Sequence, residues 1–270
     1  MTSGRLGRAL LATHAALVYL FLYGPIVVLA VFSLNSGRQT AIWEGFTLDW
    51  YRRLLADDRL LAATGNSLLV AALATLAATL LGTAAALALA RPAPPGGRGR
   101  RATQVLLYLP VILPEVVLGA ALLAAFGVAR LRLSLATVLV AHVVFSLSYV
   151  AIVVRARLAG LDPTLAEAAR DLGAGPWETF RRITLPLALP GILAAALLVF
   201  TLSIDDYVVT SFVAGVGSTT LPLYIYSLLK VGVTPEVNAV STLLVAATVV
   251  PILLAQRLLQ GSPAAAERQP

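Results

Sequence analysis

Glu115, Asp205 and Asp206 are the residues of this chain whose chemistry sits least easily with their surroundings. Glu115 falls inside the apolar run 102–129, and the two aspartates directly follow the uncharged run 187–204. An ionisable group in such a run costs roughly 2.5–3.5 kcal/mol on membrane-insertion scales and marks a polar pathway by default. Adjacent carboxylates also repel each other unless a cation sits between or beside them. A di- or polyammonium solute would relieve that repulsion with its methylene links against apolar walls. Tyr207, Phe212, Tyr224 and Tyr226 nearby offer ring faces for cation–π contact. Two plainer readings stay open: Glu115 pairs with a polar neighbour at a subunit interface, or the Asp pair caps a helix end or bridges to an arginine such as Arg130. Covalent chemistry has fewer means. The chain has no cysteine and only two histidines, His14 and His142, neither with a second ligand at metal spacing. His142, beside Ser146 and Ser148, reads as an interhelical hydrogen bonder. The Gly97-Arg98-Gly99 run lacks the Gly-Lys-[Ser/Thr] that completes a phosphate-binding loop, so the chain is expected to hold no nucleotide or other cofactor itself.

A second set of residues is legible by spacing in the segment 155–186. Asp162-Pro163 predicts a helix start, because Asp accepts from the first free amide groups and Pro is preorganised for the first helical position. The helix runs from Thr164 to Leu172 and stops at Gly173, a residue suited to a left-handed C-terminal position. Gly175-Pro176 opens a second short helix, Trp177 to Ile183, and Pro186 and Pro190 lead into the next apolar run. Ala168 and Ala169 are small enough for another surface to approach closely, and Glu167 can hydrogen bond across to it.

The elements that must position these residues follow from composition. Of the 270 residues 59% are hydrophobic and 12% charged, with a mean hydropathy of +0.88. Soluble domains carry about 25% charged residues, so a water-soluble enzyme is excluded, and so is a disordered chain. Six runs are long enough to cross a bilayer: Ala9 to Leu34, Ala62 to Ala90, Ala102 to Ala129, Leu133 to Val154, Leu187 to Ile204 and Val237 to Gln256. The first is too long for a secretory signal and reads as an uncleaved anchor. On a straight helix Glu115 lies roughly 20 Å from either end of its run, and Pro110 and Pro114 just before it predict a broken helix. With the N-terminus inside, 13 of the 20 Lys and Arg residues fall on the cytoplasmic side, so both termini are expected there. In a membrane chain a net charge of +7 orients loops rather than binding nucleic acid. The expected organisation is a tail 1–8, a transmembrane domain 9–258 and a tail 259–270. Residues 35–61, with Trp43, Trp50 and Tyr51, fit an external interfacial segment; residues 205–236, rich in Gly, Ser and Thr, a second external connection; residues 94–97 a flexible turn.

Glu167-Ala168-Ala169, three residues, Gly173, nine residues, Ile183, one residue, then Leu185-Pro186 resembles the EAA loop of ABC-importer permeases at every fixed position. From Pro114 to about Val245 the chain is similar to the second permease subunit of spermidine/putrescine importers, with Leu161-Asp162, Thr201 to Asp206 and Val231 to Ala239 carrying the likeness. Relatives for opines or amino-phosphonates are similar over the same stretch. The resemblance implies an all-α membrane protein of six spans with the type I importer (MetI-like) architecture, in a bacterial inner membrane. It also implies that 162–186 is a coupling helix docking on a dimer of ATP-binding subunits that use the ATP. The remaining implied partners are a second, related permease subunit and a periplasmic binding protein that delivers a small solute. A self-sufficient secondary carrier using Glu115 and the Asp pair is the rival reading, and it gives no reason for the EAA spacing.

Overall fold

Apolar length dictates helix here, since a backbone in hydrocarbon must satisfy its own amide groups. The computed structural model describes residues 3–37, 42–90, 98–230, 232 and 234–260. The expected turn at 94–97, and the tail from 261 onward, lie outside them. Among the described residues four helices are long and apolar enough to cross a membrane, or five if a pair bent by 117° counts as one. The six expected runs therefore all become helix, but not six straight spans. The third is the bent pair, and the sixth lies within the helix Pro235–Gln260.

The chain divides into two units. The first, residues 1–61 with 224–270, holds helix α1 (Ser3–Phe32), the short helix α2 (Asp49–Leu55) and helix α12 (Pro235–Gln260) packed against both. Where it is described, its connection from α1 to α2 is tied by its own hydrogen bonds. Asn35 and Phe46 pair as an antiparallel bridge, Trp50 Nε1 donates to the Asn35 carbonyl at 2.8 Å, and Tyr51 Oη lies 2.6 Å from Ser33 Oγ. Trp43 keeps a half-exposed ring. Tyr224 donates its hydroxyl to Asp57 Oδ2 at 2.5 Å. That bond, with the amides of Arg59 and Leu60, holds the Asp57 carboxyl below its usual range, while burial and the Asp57 bond push the Tyr224 phenol up.

The second unit, residues 62–223, contains the rest. It takes in most of α3 (Asp58–Ala90), then α4 (Arg98–Ile112), α5 (Glu115–Val128), α6 (Leu135–Ala159), α7 (Pro163–Asp171), α8 (Pro176–Thr179), α9 (Leu185–Asp205) and α10 (Val208–Val213); α11 (Leu221–Leu229) begins in it. Helix α6 is the centre of this unit, with Val138, Ala141, Val150 and Val154 fully buried. One cluster joins Val138, Phe145, Phe126 and Val213, and another joins Val150, Val154, Ala195 and Val199. Small residues permit the close approaches, as expected where dispersion rather than water drives helix association. A Cβ on Gly82 would stand 2.7 Å from Val150 Cβ, and one on Gly191 would stand 2.6 Å from Arg157 Cγ. The connection 205–236 is not simply a loop, for it carries α10 and α11.

Candidate functional site

Two prolines shape the first site. Pro110 lies within α4, and Pro114 takes an extended backbone (φ −56°, ψ 139°) as the cap of α5. A proline disfavours the helical conformation of the residue before it, and here the chain turns by 117° between the two helices. Glu115 consequently opens a helix, where the free amide groups of the first turn favour a negative charge. The reckoning of 20 Å from either end of a straight span does not survive this bend. Glu115, Asp205, Asp206 and Tyr207 line one cavity of about 320 Å³, with Pro110, Leu118, Phe145, Tyr149 and Leu202 among its apolar walls.

The two aspartates differ. Asp205 ends α9 with its side chain exposed, and the charges of Asp206 and Glu115 both act on it. Among the described residues no cation pairs with Asp205 or Glu115. Asp206 is the helix cap that the plainer reading describes. Its carboxylate, 7% exposed, accepts from Val209 N at 3.3 Å, Thr210 N at 2.8 Å and Thr210 Oγ1 at 2.7 Å. Arg130 is not among these partners; it closes α5 instead, with φ 54°. His142 is an interhelical hydrogen bonder, but its partners are Ser203 Oγ at 2.7 Å and Thr210 Oγ1 at 2.9 Å. Ser146 and Ser148 are buried with no hydroxyl partner among the described residues. Helical spacing finds same-helix neighbours, and nothing in it points 61 and 68 residues ahead.

Of the four aromatic residues named for cation–π contact, only Tyr207 reaches this cavity. Phe212 lies against Gly119 of α5. Tyr224 and Tyr226 belong to the other unit, where Tyr224 holds Asp57 and Lys230 Nζ sits 5.2 Å from the Tyr226 ring.

The second site is the segment between α6 and α9. Asp162 caps α7 by accepting from Thr164 N at 2.9 Å, and the Thr164 bonds hold its carboxyl below the usual range. The helix ends in a Schellman pair, Gly173 N to Arg170 O at 2.9 Å and Ala174 N to Ala169 O at 3.0 Å, with Gly173 at φ +88°. The second helix is not separate from the fifth apolar run. Helix continues from Pro176 to Asp205 through a π-helical turn at Phe180–Thr184, with Leu185 N bonded to Phe180 O. The wider turn precedes Pro186, which lacks an amide hydrogen to continue an α-helical ladder. Glu167 and Ile183 line a groove of about 720 Å³ together with Leu158, Trp177 and Phe180. Ala168 is exposed and Ala169 half-buried on α7, Gly173 is exposed, and Leu185 and Pro186 lie in the first turn of α9. No residue of α7 is buried, while Leu172 is 90% and Trp177 70% exposed. This face is open, with the apolar Leu172 and Trp177 exposed beside the groove that Glu167 lines.

Against known proteins, residues 78–261 match the family described as the binding-protein-dependent transport system inner membrane component. The chain is 42% identical over 239 residues to the spermidine/putrescine transport system permease protein PotC of Haemophilus influenzae, covering 88% of this chain and 92% of that protein. It is 41% identical to the putrescine transport system permease protein PotI of Escherichia coli K12, covering 85% and 83%. It is 32% identical to the putative 2-aminoethylphosphonate transport system permease protein PhnV of Salmonella typhimurium, covering 94% and 95%. Among solved structures, a bacterial ABC transporter that imports the acidic polysaccharide alginate matches with a TM-score of 0.76 at 19% identity, over 94% of each chain. The MetNI methionine ABC transporter, in inward-facing conformations, matches at 0.65 and 19%, over 80% of this chain and 98% of that one. At these identities the structures speak for the fold alone.

Proposed function

Because the chain belongs to the binding-protein-dependent transport system inner membrane component family, we propose that the solute it passes is a polyamine, putrescine or spermidine. The chain is a multi-pass permease subunit of an ABC importer, and catalyses no covalent step. The observation that carries the choice of solute is the gradient of similarity: 41–42% identity to permeases named for putrescine and spermidine, against 32% to one named for 2-aminoethylphosphonate. The chemistry agrees. Glu115 and Asp205 present two carboxylates without a cationic partner among the described residues, beside Leu118, Phe145 and Leu202. A linear diammonium solute suits that arrangement, its ends drawn to charge and its methylene links to apolar wall.

The remaining reading concerns assembly. The open face of α7 and α8 docks on an ATP-binding subunit through the groove lined by Glu167, Ile183 and Trp177. One such face per chain calls for a second permease subunit to engage the other ATPase. A periplasmic receptor delivers the solute, and both termini lie in the cytoplasm. ATP closing of the ATPase pair moves the docked segment and rocks the spans. Uptake by vesicles carrying the full complex tests both parts. Asp205→Asn should weaken polyamine uptake with assembly intact, and transport should stop without ATP. Unchanged uptake in the variant removes the carboxylate from the pathway, and uptake without ATP refutes the importer reading.

A further inference from the structure

A buried titratable side chain next to the cavity remains without a role. His142 is 1% exposed on α6, and its two ring nitrogens reach Ser203 on α9 and Thr210 on α10. Hydrogen counting fixes the direction of these bonds. An ionised carboxylate only accepts, so the single hydroxyl hydrogen of Thr210 goes to Asp206 Oδ2 at 2.7 Å. Thr210 Oγ1 has then no hydrogen left for the ring and must accept from His142 Nε2, 2.9 Å away. At the other end, Ser203 is 4% exposed, and its hydroxyl has no partner among the described residues other than Nδ1, at 2.7 Å. If Nδ1 also carried a proton, the Ser203 hydrogen would be buried without an acceptor, a costly arrangement. Asp206 Oδ2 is farther from Nε2, at 3.4 Å, than Thr210 is, so the ring addresses the hydroxyl first.

We infer that His142 is a positioning residue: a neutral imidazole protonated on Nε2 that directs a hydrogen-bond chain from Ser203 through Thr210 to Asp206. The chain ties α6, α9 and α10 at the corner where Asp206 caps α10, and so sets how Asp205 and Tyr207 meet the cavity. Asp206 is committed to this chain and is not a ligand for solute. The functional half of the inference rests on the reading of the cavity as the polyamine path; the proton placement does not.

The chain has only two histidines, and His14 is exposed on α1, so a His14→Gln background isolates one ring. Nitrogen-15 NMR of the assembled complex, with labelled histidine in lipid nanodiscs, should show one protonated and one bare ring nitrogen at neutral pH, the proton on Nε2. Two protonated nitrogens, or a proton on Nδ1, overturns the inference. For uptake, Thr210→Val and His142→Phe should raise the half-saturating putrescine concentration by about tenfold, the scale of one buried hydrogen bond lost. Thr210→Ser should restore it, and His142→Gln in part. Should His142→Phe not assemble, Thr210→Val decides, since it keeps shape and removes only the relay. Wild-type half-saturation in an assembled Thr210→Val complex overturns the positioning role. Unchanged uptake in Asp205→Asn with Nε2 still protonated overturns the cavity reading and leaves the proton chain supported.

Discussion

Replacing Gly173 tests the proposed coupling segment at an exposed joint. Its φ of +88° belongs to the left-handed region, where a Cβ costs about 1–2 kcal/mol. A Cβ built there meets no atom within 4 Å, so the penalty is conformational and not a clash. What it opposes is the Schellman pair closing α7, and α7 has no buried residue to make up the loss. A penalty of that size shifts a local equilibrium by a factor of about 5–30, while the spans are untouched. The expected order of coupling is Gly173, then Gly173→Asn, which visits left-handed backbone more readily, then Gly173→Ala, then the β-branched Gly173→Val. The assay is ATP hydrolysis by the reconstituted complex, with and without solute-loaded receptor, beside the melting temperature of the assembly. Stimulation should fall along the series with basal hydrolysis and melting unchanged. A Gly173→Val complex stimulated like the wild type would refute the reasoning.

Three further perturbations read other joints. A Cβ on Gly215 would lie 1.8 Å from the Leu133 carbonyl oxygen and 2.7 Å from Ser134 N. Backbone cannot yield as a side chain does, so Gly215→Ala should cost about 3 kcal/mol or more and lower the yield of assembled complex; a wild-type yield and melting temperature would count against the placement. The Asp57 folded value is depressed below 3.8, so its contribution is full above that range and fades as pH falls through the folded value. The Tyr224 value is raised above 10, so its part is full below pH 10 and lost at higher pH. Tyr224→Phe should remove both limbs from hydrogen-exchange protection of α2, and an unaltered acid limb would show that the contact contributes nothing. Asp206→Ala leaves the Val209 and Thr210 donors without their acceptor beside a carboxylate site only 7% exposed, at about 1–3 kcal/mol each. Asp206→Asn, itself a good cap, should melt much closer to the wild type, and equal melting of the two variants would argue against the cap.

Much of the candidate site was legible because it is written in short-range terms. Asp162 and Thr164, Gly173 and Arg170, and the spacing from Glu167 to Pro186 involve residues within a few turns of one another, so their order along the chain already states the geometry. Local terms also misled. Pro110 and Pro114 predicted a break in the helix, yet a bend of 117° also moves Glu115 to the start of a helix, and straight-line counting from the run's ends fails. The second short helix was expected to end at Ile183, but the π-helical turn at Phe180–Thr184 lets the helix pass through into the next apolar run.

What the sequence by itself determined is the apolar lengths that leave the backbone no alternative to helix, and the EAA spacing. Each is composition or local order, and hydrocarbon permits little else. Only the tertiary structure decided that adjacent Asp205 and Asp206 part company, one exposed and one capping α10, and that His142 meets Ser203 and Thr210. Those choices depend on how far each helix is rotated about its axis when it packs. That rotation is set by contacts between distant segments such as Gly82 with Val150 and Gly119 with Phe212, which no periodicity within one helix contains.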